Sequence, residues 1–378
     1  MKDNDRHIIP HNRLKDAGLW FRILIFVYLL GSVITHISTL DTSMRFPLVF
    51  LAAIGIATLY IIDNKLVIQK KDFILITILI LPQLLLFPMN ATALSLFYLF
   101  SFVVNYLVLL AIRQYSMPVS FWKVMFFIVL IMSSIPIFSN SNLSSIFGNS
   151  NVLSIILLFE FLLLYYTRYE WKKYEFQLLT IIVIILMLLT NSRSSLLFLV
   201  VFYFLYFLRN RITRRSMIFL GIFLFSIILL IYSQILLNNG RFLMDLFSWT
   251  SSKGSSLSHR DVIAKAAMEY VEHHFFGLGF GMSNEYLKET IGKNLTPHNT
   301  FLKLLMEGGF IYFAANIFIY LYFYFRTKNT FIIAFSIAYG VKMLFESATP
   351  LGYSLISVMV LLPFFLKENN FSTKKCYQ

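Results

Sequence analysis

The chain has 378 residues, of which 58% are hydrophobic, 17% aromatic and only 13% charged, with a mean hydropathy of +0.74. Soluble globular proteins carry about 25% charged residues, so that class is excluded. The formal net charge of +14 would point a soluble protein toward nucleic acid, but here the placement of the charges has to be read first.

Apolar runs recur from Leu19 to Leu366, each near the length at which a helix crosses about 30 Å of hydrocarbon. The polar breaks between them predict twelve spans, at 19–37, 46–62, 73–89, 93–112, 121–138, 152–167, 175–190, 194–208, 216–236, 299–325, 330–346 and 351–366. The polar start, Met1 to Asp16, passes into the first span with no small-residue cleavage site, so that span is read as uncleaved. The single cysteine, Cys376, fits neither a disulfide nor a prenylation box, which removes redox chemistry and cysteine ligation of a metal.

Lys and Arg are retained on the cytoplasmic side of a membrane. Placing the N-terminus inside collects Lys2 to Arg22, Lys65 to Lys71, Arg113 and Lys123, Arg168 to Lys173, Arg209 to Arg215, Arg326 and Lys328, and Lys367 to Lys375. Every predicted inner segment is basic, so both termini are expected in the cytoplasm. The charge is then mostly topology, and nucleic acid is an unneeded partner. Most basic residues left outside lie in one long segment, about 237–297, where Asp245, Asp261, Glu269, Glu272, Glu285 and Glu289 balance them. No repeat of 20–50 residues is visible. The expectation is one all-α integral-membrane domain over 1–378, with a single large extracytoplasmic loop at 237–297.

Four polar clusters fall on the predicted outer side. Gly148-Asn149-Ser150-Asn151 opens the sixth span and reads either as a turn with an Asn helix cap or as part of a site. Thr190-Asn191-Ser192-Arg193-Ser194-Ser195 forms the tight turn between the seventh and eighth spans. An outer arginine there runs against the positive-inside preference, so Arg193 either snorkels to water or meets an anion such as phosphate.

The third cluster lies in the long loop, where Ser258-His259-Arg260-Asp261 has the spacing of a capping box. Val262, Ile263, Ala266, Tyr270 and Val271 follow at helical spacing and predict an amphipathic helix on the outer surface, with Arg260 in its first turn. Gly277-Leu278-Gly279-Phe280-Gly281 comes next; no strand precedes it and position 282 is Met, so it is no dinucleotide fingerprint. Those glycines read as a close backbone approach or a flexible turn.

Thr296-Pro297-His298-Asn299 is the fourth cluster and opens the tenth span. Thr as N-cap and Pro at the first helical position are start signals that put His298 and Asn299 in the first turn. Free N–H groups and the positive end of the helix dipole favour phosphate there and leave an imidazole neutral, able to take a proton. Asn299, Lys303 and Glu307 form a polar stripe that suits an ion pair better than catalysis. Three more charged residues sit within spans: Glu160, mid-span, where a carboxylate is costly, and Lys342 and Glu346, four apart and positioned to pair. His273-His274 lacks the spacing of a zinc helix, and no metal is expected.

At these residues the sequence resembles the bacterial O-antigen ligase and polymerase family. The resemblance rests on Phe147-Gly148-Asn149-Ser150-Asn151, Thr190-Asn191-Ser192-Arg193-Ser194, Ser258-His259-Arg260 leading to Phe276-Gly277-Leu278-Gly279-Phe280-Gly281, and His298-Asn299-Thr300-Phe301-Leu302 through Glu307-Gly308-Gly309. It implies a membrane glycosyltransferase of the C-type fold that works on the outer face, without metal or cofactor, on a polyprenyl-pyrophosphate-linked glycan. Carried over by position, Arg193 and Arg260 would bind the pyrophosphate, and His298 would activate the acceptor hydroxyl or orient the donor. Asn149, Asn151, Ser192 and Asn299 would line the substrate. The family usually has Pro between the two asparagines of the first motif, where this chain has Ser150.

The preferred expectation is a polymerase, moving a lipid-linked chain onto the nonreducing end of a new lipid-linked repeat unit, alongside a flippase and a chain-length regulator. A ligase of the same family, and a lipid-linked glycan flippase or transporter, are the competing readings. Transporters gather polar groups near the midplane in repeated halves, whereas these clusters lie at the rim, leaving Glu160 and the Pro82/Pro88 span as the features that favour transport.

Overall fold

The computed structural model describes residues 11–38, 40, 47–62, 70–86, 93–115, 117–139, 142–209, 211–237, 260–279, 281–292, 297, 299–346 and 358–366. These are mostly helical. In chain order they form α1 (His11–Ile34), α2 (Pro47–Ile62), α3 (Lys70–Leu86), α4 (Ala93–Gln114), α5 (Val119–Ser133), a two-residue ribbon of β1 (Phe138–Ser139) and β2 (Asn142–Leu143), α6 (Ser150–Tyr166), α7 (Lys173–Leu189), α8 (Arg193–Leu208) and α9 (Arg214–Leu237). There follow α10 (Arg260–His273), α11 (Ser283–Ile291), α12 (Thr300–Arg326), α13 (Thr330–Met343) and the short α14 (Leu362–Phe365).

Each of the first eleven predicted spans overlaps one of these helices. The twelfth is represented only by α14, since residues 347–357 lie outside the described set. The span predicted over 121–138 ends early, at Ser133, because Pro136 cannot continue a helix and biases the residue before it to extended backbone. The chain then folds back as the antiparallel ribbon, with Phe138 opposite Leu143. Among the described residues α12 is the one helix long and apolar enough by itself to cross a bilayer, and α5, α6, α8 and α13 are shorter apolar helices.

Packing separates a buried core from an apolar exterior. In α6 and α13 nearly every side chain is buried, on all faces, as expected of central helices. Around them, α8 packs on α13, α5 and α7 on α6, α9 on α13, and α12 on both α3 and α13, which joins the two ends of the sequence. The outer faces are apolar as well: Leu51, Ile131, Phe207 and Phe219 are each two-thirds exposed or more. Soluble monomers rarely leave contiguous apolar faces in water, so this exterior is built for an apolar solvent.

Candidate functional site

The turn between α7 and α8 is short because three residues each do one local job. Thr190 caps α7, its hydroxyl donating to the Met187 carbonyl at 2.7 Å and accepting from the Ser192 N–H at 3.3 Å. Asn191 takes the left-handed conformation, with φ 50°, which asparagine tolerates better than most residues. Ser192, extended, is the N-cap of α8. Arg193 is therefore the first residue of α8; its side chain is exposed and has no partner among the described residues.

Beneath Arg193 the polar side chains turn inward. Ser192, Ser194 and Ser195 are all buried, and the Ser192 hydroxyl lies 3.1 Å from that of Ser194 and 3.4 Å from that of Ser195. Lys342 reaches this cluster from α13, its Nζ 3.0 Å from the Ser194 hydroxyl, 2.8 Å from that of Ser195 and 3.1 Å from that of Ser154 on α6. Ser194 also donates to Glu346 Oε1 at 3.3 Å, so Lys342 and Glu346 share one hydroxyl. The Glu346 carbonyl accepts from the Thr300 hydroxyl at 2.6 Å. One buried network thus ties the helix after the first motif, the turn of the second and the start of α12.

The asparagines sit at helix starts. Asn149 is the N-cap of α6, accepting from the Asn151 N–H at 2.8 Å, so its side-chain oxygen is used locally. Asn299 corrects the expected start of the tenth span: it is itself the N-cap of α12, accepting from the Leu302 N–H at 3.0 Å, and does not lie in the first turn. A buried Asn cap, with extended backbone, competes better for the N-cap position than a Thr three residues upstream. Thr296 and His298 lie outside the described residues, as do Ser258, His259 and the side chain of Arg260, whose backbone opens α10.

Of the long loop, the described helices α10 and α11 pack against α12. Ile263, Ala266, Ala267, Tyr270 and Val271 of α10 are buried against Leu287 of α11 and Leu302 and Met306 of α12. The apolar face read from the sequence is real, but protein covers it, and α11 was not foreseen. Lys303 and Glu307 stand 3.9 Å apart as the stripe suggested, and Ser283 donates to Glu307 at 2.5 Å.

The glycines explain how the loop locks onto α12. At Gly309 the helix breaks, with φ 65° and ψ −172°. Phe275–Gly279 fills the gap: Leu278 N–H donates to the Met306 carbonyl at 2.7 Å, Gly279 N–H to Glu307 at 2.9 Å, and Phe310 N–H to Phe275 at 3.1 Å. A Cβ on Gly277 would stand 2.5 Å from the Gly309 nitrogen. The close approach therefore comes from backbone pairing between the third and fourth motifs.

Between α9, α12 and α13 lies a half-open apolar cavity of about 330 Å³, lined among others by Phe225, Phe301, Leu304, Ile337 and Met343. Its lining residues Phe301 and Met343 are next in sequence to Thr300 and Lys342 of the network, and the lining extends to Tyr324 and Phe325. Sequence reasoning missed the convergence on Lys342, since a lysine four residues from a glutamate signals a pair and not three distant serines.

No curated protein and no solved structure matches the chain. A family model described as O-antigen ligase matches residues 178–317, a stretch that runs from α7 through α10 and α11 into α12. Residues 178–317, with Arg193, Arg260 and His298 among them, are thus similar to the O-antigen ligase family.

Proposed function

We propose that this protein is a polysaccharide polymerase that transfers a polyprenyl-pyrophosphate-linked glycan to the nonreducing end of a new lipid-linked repeat unit. The observation that carries the reading is the buried network joining the exposed Arg193 turn to the start of α12, next in sequence to His298. In the reaction an acceptor hydroxyl oxygen bonds to the anomeric carbon, the bond from that carbon to the pyrophosphate oxygen breaks, and His298 takes the hydroxyl proton. Negative charge grows on the departing polyprenyl pyrophosphate. Cations placed in advance stabilise it better than reorganising water does, and the guanidiniums of Arg193 and Arg260 fill that role by bidentate bonds to phosphate.

The rest of the reading follows from scale and solvent. The chain is a single membrane domain of about twelve spans with C-type architecture, with both termini cytoplasmic and the loop 237–297 on the extracytoplasmic face. The cavity between α9, α12 and α13 suits the first isoprene units of the carrier. In cells lacking the protein, single lipid-linked repeats should accumulate with no long polymer. Long lipid-linked chains that never reach a final acceptor would instead favour the ligase reading, which the description of the matching family supports. Polymerase and ligase share the chemistry above and differ in the acceptor.

Glu160 separates these enzymes from a transporter. It is buried on α6, with its carboxylate accepting from the Ser133 hydroxyl and Oε2 without a hydrogen bond among the described residues. A transferase needs only its packing and one accepted bond, both of which glutamine supplies. Glu160→Gln is therefore expected to keep polymer yield within about threefold of wild type, the scale of a lost weak hydrogen bond. Abolished glycan export with intact lipid-linked repeats would point to ion-coupled transport.

A further inference from the structure

Lys342, close to the end of α13, is 1% exposed. A buried ammonium is costly unless acceptors take its protons, and the hydroxyls of Ser195, Ser194 and Ser154 lie at 2.8, 3.0 and 3.1 Å from Nζ. Two of these three serines directly follow Arg193 in the first turn of α8, and the third anchors the arrangement to α6. An apolar residue of the same volume would fill the space without the desolvation cost. Convergence on the arginine-bearing turn calls for a reason beyond packing.

We propose that Lys342 is a positioning residue for Arg193. By gathering Ser194 and Ser195, it fixes the first turn of α8 against α6 and α13, so the guanidinium is presented from a rigid base. Anchors of this kind raise affinity by removing the cost of immobilising the turn when ligand arrives. Glu346, which shares Ser194 with Lys342 and holds Thr300 through its carbonyl, extends the same constraint to the start of α12. Lys342 and Ser154 lie outside the matched residues 178–317. The inference deepens the proposed function and rests on Arg193 being a pyrophosphate ligand.

The test is a double-mutant cycle in binding, with the full chain in lipid nanodiscs and a polyprenyl diphosphate as probe. Lys342→Met is expected to weaken binding about tenfold, and Ser195→Ala, the milder change, about threefold, both within the range of coupled neighbours. In an Arg193→Ala background neither change should weaken binding further. A purely structural role would lower the melting temperature and weaken binding equally in both backgrounds, and that result would overturn the inference while leaving Arg193 as ligand. If Lys342→Met fails to insert, Ser195→Ala carries the same cycle. Unchanged binding in Arg193→Ala alone would sink the pyrophosphate reading and this inference together.

Discussion

Arg193→Lys should lower kcat for glycan transfer about a hundredfold, the scale of losing one pre-placed donor to a developing anion, with the protein inserting and melting as wild type does. The side chain is exposed at the start of α8 and bonds to nothing among the described residues, so its replacement removes no structural contact there. Lysine keeps the charge but not the fork: a single ammonium cannot span two phosphate oxygens from a fixed helix terminus. Arg260→Lys should behave alike. His298→Ala should come close to abolishing turnover, since a positioned base contributes about 10²–10⁴-fold. Kinetics on reconstituted protein check all three, and wild-type turnover in either arginine variant would remove that residue from pyrophosphate binding.

Gly309→Ala is the second large expected effect, and it acts on the fold before the chemistry. The positive φ of 65° is costly for any residue with a Cβ, and an added Cβ would stand 2.2 Å from the Phe275 carbonyl oxygen and 2.6 Å from the Phe276 carbonyl carbon. Those are backbone atoms held by the Leu278–Met306 and Phe310–Phe275 bonds, so they cannot swing aside as a side chain would. Strain and overpacking together put the loss at about 2–4 kcal/mol. The α10–α11 unit is expected to detach from α12, so limited proteolysis should cut within the loop in the variant and spare the wild type. Equal resistance would show that the backbone pairing does not hold the loop.

Which parts of this molecule are legible in sequence follows from the range of the interactions. Helices are readable along the chain because an apolar run has a characteristic length and a polar break is a local event. A cap is one of the two readings that the sequence offers for Asn149, and a close approach one of two for the glycines after Phe276, because both features depend on a few neighbouring atoms. The α10 stripe predicted the face that is buried but not its cover, because spacing says nothing about whether lipid or Leu302 and Met306 lies opposite. Spacing alone pairs Lys342 with Glu346. Its serines come from Ser154, Ser194 and Ser195, contacts set by how α6, α8 and α13 cross, and that crossing leaves no periodic trace. The start of α12 was misplaced by three residues because Thr-Pro and Asn are both good start signals, and tertiary burial of Asn299 decided between them.

Glycan transfer between lipid carriers is tested most directly by a reaction of the purified protein in nanodiscs with a single polyprenyl-pyrophosphate-linked repeat unit, resolved by product size. A ladder of lipid-linked chains growing by whole repeats, with released polyprenyl pyrophosphate equal to the bonds formed and the ladder absent in His298→Ala, is the predicted result. Unchanged single repeats with wild-type protein, or a ladder that His298→Ala produces equally well, would contradict it.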